Sequence, residues 1–143
     1  MREILFLIFL AAALAGCTGS PQETPTQSLR VAVIEQIDAY APLLRETGRM
    51  DRAGEIAAQV EALHEAKQAR LEAQRAFEDG RPYETSFYLG FDPHQTLQEY
   101  AAELGRMGRT SEAEEVEALA TRYREDQKRA AEELVRQYRQ QQQ

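Results

Sequence analysis

The chain repeats itself, and that limits its fold more than any other feature. Residues 40–60 and 100–120 align without a gap, sixty positions apart, and share Tyr40/Tyr100, Ala41/Ala101, Leu44/Leu104, Gly48/Gly108, Arg49/Arg109, Ala53/Ala113, Glu55/Glu115 and Ala58/Ala118, eight identities in twenty-one positions. In each copy an apolar stretch runs up to a glycine, the residue best suited to the left-handed position that ends a helix, and an alanine-rich charged stretch follows. Each copy therefore reads as two helices reversed at a glycine. The predicted class is all-α: two antiparallel helix-turn-helix hairpins, four main helices in all.

Composition agrees with a single folded unit and narrows its partners. With 43% apolar and 29% charged residues the chain can bury a core and lacks the marks of disorder. Ala, Glu, Arg, Gln and Leu dominate, mostly strong helix formers. The balance of 24 acidic to 17 basic residues leaves a net charge of −7, which repels phosphate backbones, so nucleic acid is not an expected partner.

Apolar steps of three and four place the helices. Val31, Ile34, Ile37, Ala41 and Leu44 predict a first helix over 29–46, with Pro42 kinking or shortening its last turn. Asp51 offers an N-cap to a second helix whose face is Ala53, Ile56, Val60 and Leu63, and whose stripe thins to Leu71, Ala73 and Phe77. Hairpin one is thus 29–78. Residues 79–92 form a loop with four of the nine aromatic residues that follow Cys17: Tyr83, Phe87, Tyr88 and Phe91. Such rings either seal the end of a core or line a groove for a partner. The expectation is that Phe87 and Phe91 are core while Tyr83 or Tyr88 stays partly exposed, and all four are the candidate partner-binding residues.

Hairpin two, 93–139, is punctuated more strongly. Asp92-Pro93-His94-Gln95 supplies a capping side chain, a proline at the first helical position and a glutamine two residues further on. Leu97, Tyr100, Ala101 and Leu104 form the face of that helix. Ser111 with Glu114 has the capping-box spacing for the next, whose inward residues are Ala113, Val116, Ala120 and Tyr123, with a register shift to Ala130 or Ala131 and Leu134 beyond. Gln140–Gln143 are expected to fray as a short disordered tail.

The start of the chain reads as an address. Arg2, the apolar run Ile4–Leu14 and small residues after it have the layout of an export signal, and the run is shorter than the ~20 residues a membrane span takes. Leu14-Ala15-Gly16-Cys17 resembles the lipobox of bacterial lipoproteins. The resemblance implies that residues 1–16 are removed and that Cys17, the only cysteine, carries the lipid anchor, with palmitate-type acyl chains enough for stable membrane attachment. Residues 17–28, rich in Ser, Thr, Pro and Gly, read as a flexible tether that could reach about 35 to 40 Å. With Thr18 and not Asp after the cysteine, the resemblance implies the periplasmic face of the outer membrane in a Gram-negative envelope.

The hairpins also resemble tetratricopeptide repeats. Tyr100, Ala101, Gly108, Ala113 and Ala120 match the small and aromatic positions of that motif, and the first copy supplies Tyr40, Ala41, Gly48 and Ala53, with Val60 where alanine is preferred. The likeness covers about 34 residues per copy, that repeat's length. The sixty-residue spacing and the absence of a proline after each second helix imply a compact four-helix packing instead of a superhelix.

No catalytic pattern emerges. His64 and His94 lie thirty residues apart, no second histidine follows His64-Glu65 at the metalloprotease spacing, and there is no phosphate loop or nucleophile elbow. The expectation is a protein without cofactor, metal or catalytic residues: an anchored module that binds an envelope protein or peptide. The alternative is a structural lipoprotein whose long helices self-associate as a homo-oligomer.

Overall fold

The computed structural model describes residues 24–83 and 88–142. Among them are four α-helices and no strand: α1 Pro25–Glu46, α2 Met50–Glu78, α3 Pro93–Arg106 and α4 Thr110–Gln141. Helix α1 packs on α2 and α3 on α4, the two expected hairpins, while α1 also packs on α3 and α4 and so lies at the centre.

The two turns are built alike because the repeat includes them. Gly48 and Gly108 take φ of 77° and 76°, with open space where a Cβ would sit, so the backbone angle and not crowding calls for glycine. The Arg49 N–H donates to the Leu44 carbonyl (2.8 Å) and Gly48 to Arg45 (3.0 Å); Arg109 to Leu104 (2.9 Å) and Gly108 to Gly105 (3.1 Å) repeat the pair. The same arginines open the next helices, since Ala53 and Ala113 donate to the Arg49 and Arg109 carbonyls at 3.0 Å each.

This tight reversal corrects the expected caps. Helices α2 and α4 start at Met50 and Thr110, directly after those arginines, and neither has a side-chain cap, so Asp51 and the Ser111/Glu114 pair lie inside the helices. The start of α1 differs as well. Thr24 and Gln27 form a capping box, with the Gln27 N–H donating to Thr24 Oγ1 (3.3 Å) and the Thr24 N–H to Gln27 Oε1 (2.9 Å). Pro25 occupies the first turn. Residues 25–28 are therefore helix and not tether. Pro42 does not end α1, which runs on to Glu46; the carbonyl it deprives of a donor belongs to Asp38, on an exposed face where water can serve it. At the other end α4 stays helical to Gln141, past the expected start of fraying.

Ile37, Leu44, Ile56, Leu97 and Leu104 are fully buried, with Tyr40, Tyr100, Val116, Leu119 and Ala120 nearly so. Each such aliphatic side chain contributes about 1.5 to 3 kcal/mol on burial. The equivalent Tyr40 and Tyr100 stack on each other, centroids 5.0 Å apart at 27°, so the two copies meet through the same residue. Burial raises the pKa of both phenols. Helices α2 and α3 are bridged by side chains: Thr96 Oγ1 donates to Gln59 Oε1 (2.8 Å) and Arg52 pairs with Glu99. Glu103, buried against this seam, is held by Arg106 and by Arg49 at 2.8 Å.

Candidate functional site

The aromatic segment splits into parts with different fates. At the end of α2 the Tyr83 ring meets Phe77 edge-on, centroids 5.8 Å apart at 84°, yet both are exposed. Phe77 therefore does not extend the inward stripe of α2. Phe91 is half-buried and, with Leu89, packs against the core. Tyr88 is 96% exposed. Phe87 lies outside the described residues, as does Cys17. Of the four rings, then, Phe91 seals the core in part, Tyr83 makes a small surface pair, and Tyr88 is displayed.

Between this segment and α4 lies an open groove of about 600 Å³. Leu89, Phe91 and Tyr123 supply its apolar walls, and His94, Arg124 and Lys128 its polar rim. The wall is fixed by the start of α3, where Asp92 accepts the His94 N–H (3.0 Å) and its carbonyl the Thr96 N–H (3.2 Å), with Pro93 at the first position. Gln95 does not complete a capping box; it reaches toward Glu99. The His94 ring sets its Nδ1 3.4 Å from Arg124 Nη1.

Positive charge gathers around Tyr123. Burial raises the pKa of its phenol, Arg70 of α2 and Arg30 of α1 act against that rise, and Asp92 and Asp126 add to it. Burial first, and the Arg30 charge second, pull the Arg70 pKa down. The Arg30 Nε is buried without a hydrogen-bond partner. Sequence reasoning found neither cation, because they come from two different helices and share no local pattern.

Beyond Tyr123 and Asp126, α4 leaves the core. Leu134, Val135 and Tyr138 are 67%, 51% and 63% exposed, so the expected inward continuation through Leu134 is corrected. Among the described residues no neighbouring helix lies opposite them, since α3 is 14 residues long and α4 is 32, about 21 Å against 48 Å. The remaining candidates stay dispersed: His64 is exposed on α2, and among the described residues no three His, Cys, Asp or Glu side chains converge to hold a metal ion. No helix among those residues is long and apolar enough to cross a membrane. No family model, curated protein or solved structure matches the chain.

Proposed function

We propose that this chain is a non-catalytic protein–protein interaction module of the bacterial cell envelope, tethered to a membrane by lipid on Cys17. The observation that carries the binding half of this reading is the overhang of α4, a helix on which Leu134, Val135 and Tyr138 are exposed with no other helix of the described residues against them. Exposed apolar side chains gathered in one place mark interaction surfaces. The tethering half rests on Leu14-Ala15-Gly16-Cys17.

Photo-crosslinking from α4 in native membranes tests the reading, with a benzophenone side chain at Ala131 in the wild type and in Cys17→Ser. The expected results are a discrete protein adduct in the wild type, and unlabelled, unprocessed precursor in the serine variant, which has no thiol for lipid transfer. Normal processing and membrane retention of Cys17→Ser would refute the anchor, and absence of any adduct along α4 would refute the module. The exposed Leu134 and Tyr138 also favour the self-associating structural lipoprotein as a second reading; a defined homo-oligomer in sedimentation at micromolar concentration would select it.

A further inference from the structure

The overhang of α4 continues the groove beneath it. Tyr123, Gln127, Ala131, Leu134 and Tyr138 follow one another at steps of three and four and so share a face about 24 Å long. Arg124, Lys128 and Arg139 run along one edge of it, Asp126 and Glu133 along the other.

The two edges differ in how their charges are satisfied. Asp126 accepts from Thr26 Oγ1 at 3.3 Å, and Glu133 pairs with Arg136 and accepts from Gln137 at 3.0 Å. On the basic edge Lys128 reaches Glu132 only at 3.9 Å. Arg124 touches the His94 ring, and neither it nor Arg139 meets a carboxylate among the described residues. Arginines elsewhere do find partners, as Arg49, Arg52, Arg106 and Arg109 show. A chain of net charge −7 thus leaves Arg124 and Arg139 without a carboxylate partner among the described residues, and Lys128 with only a long pair to Glu132, beside its exposed apolar face.

We infer that this strip docks an acidic amphipathic helix of a partner protein, its apolar side chains against Tyr123, Ala131, Leu134 and Tyr138 and its carboxylates along Arg124, Lys128 and Arg139. The inference rests on the interaction-module reading and adds the partner's chemistry. A helix is the fitting occupant because α4 offers no unpaired backbone to a strand, whereas two helices pack side chain into groove at i, i+3, i+4 and i+7. A second copy fits poorly: antiparallel docking sets basic edge against basic edge, and parallel docking meets acids already engaged. An anionic bilayer is disfavoured too, since Asp126 and Glu133 border the same face.

The test uses the full chain in nanodiscs of zwitterionic lipid, with empty discs as background, and fluorescence anisotropy of two labelled synthetic helices of about 18 residues. Both carry leucine at i, i+3, i+4 and i+7; one is flanked by glutamate, the other by lysine. The glutamate helix is expected to bind, to weaken with added salt, and to lose about tenfold or more in affinity to the variant Arg124→Glu/Lys128→Glu/Arg139→Glu. Leu134→Glu should weaken it independently. All four positions are exposed, so the melting temperatures should hold. Equal binding of both helices, no binding of the glutamate helix, or unchanged affinity in the triple variant overturns the inference. So does a charge-dependent attachment to anionic vesicles or to a second copy in place of the helix. If the glutamate helix fails while adducts from Ala131 persist in membranes, this inference falls and the module stands; if both fail, both fall.

Discussion

Removing residues 130–143 should leave the folded core almost as stable as before. From Ala130 to Gln142 every residue is exposed except Glu133, and the groups bonded to that carboxylate are Arg136 and Gln137 of its own helix. The last inward contacts of α4 come from Tyr123, packed on the core, and Asp126, bonded to Thr26. Truncation after Arg129 keeps both, with most of a helical turn to absorb fraying. At about 25 cal/mol per Å² of apolar surface, a segment that buries almost none against the core contributes almost nothing, and the expected loss is within about 0.5 kcal/mol. Were Leu134 and Tyr138 packed on the core, their removal alone would cost several kcal/mol, about 2 to 5 for the leucine. Urea unfolding followed by circular dichroism reads the difference directly. The midpoint and the slope should match those of the full chain, because the slope tracks the surface exposed on unfolding. A loss above about 2 kcal/mol, or a clearly lower slope, would refute the view of α4 as an overhang.

The copies should respond unequally to the same substitution. Ala53 is 1% exposed whereas Ala113 is half-buried, so Ala53→Leu should cost about 1 to 3 kcal/mol by overpacking and Ala113→Leu under about 1; equal shifts in thermal melts would show that the hairpins pack alike. A double-mutant cycle of Tyr40→Leu and Tyr100→Leu should give a coupling of about 0.5 to 1.5 kcal/mol, and strict additivity would remove the ring stack as a tie between the copies. Arg106 first, with Arg49, holds the Glu103 carboxyl below its ordinary pKa despite burial. A depressed carboxylate stabilises above its unfolded pKa and loses that contribution as pH falls through the folded one, so Glu103→Gln should be less stable at pH 7 and the gap should narrow in acid; a gap constant with pH would mean the charge is immaterial.

The fold was legible where the sequence had to solve a backbone problem. A glycine at positive φ with leucine four residues earlier admits few local structures, and seeing it twice placed both turns. The cap expectations failed at Asp51 and Ser111 for the same reason that the turns succeeded. A reversal that lets Arg49 and Arg109 both close one helix and open the next leaves no room for a separate capping residue. The start of α1 was hidden by composition: Thr24-Pro25-Thr26-Gln27 has the capping-box spacing, but it sits in a stretch whose Ser, Thr and Pro content reads as tether. Glu103 left no trace at all, since its counterpart in the first copy is Leu43, buried in an apolar setting. The candidate strip was invisible for a different reason. Its pattern is that of any amphipathic helix, and only the position of the core's edge shows that this face is bare.

That edge can be traced to two residues. Sixty positions before Asp92-Pro93, where α3 begins, stand Ala32 and Val33, in the middle of α1. Val33 is buried and α1 continues through it, giving the first hairpin a long helix of 22 residues for α2 to lie along, which is why Leu63 and Ala66 are covered. In the second copy a cap and a proline replace the pair: Asp92 is extended and its side chain accepts the His94 N–H, so α3 starts there with Pro93 at its first position. Helix α3 is therefore short, α4 has no other helix of the described residues opposite its last four turns, and the same Asp92-Pro93 step also turns Leu89 and Phe91 back onto the core to form the strip's inner end. The exposed face of α4 and the end of the core are thus set by one local choice in the sequence.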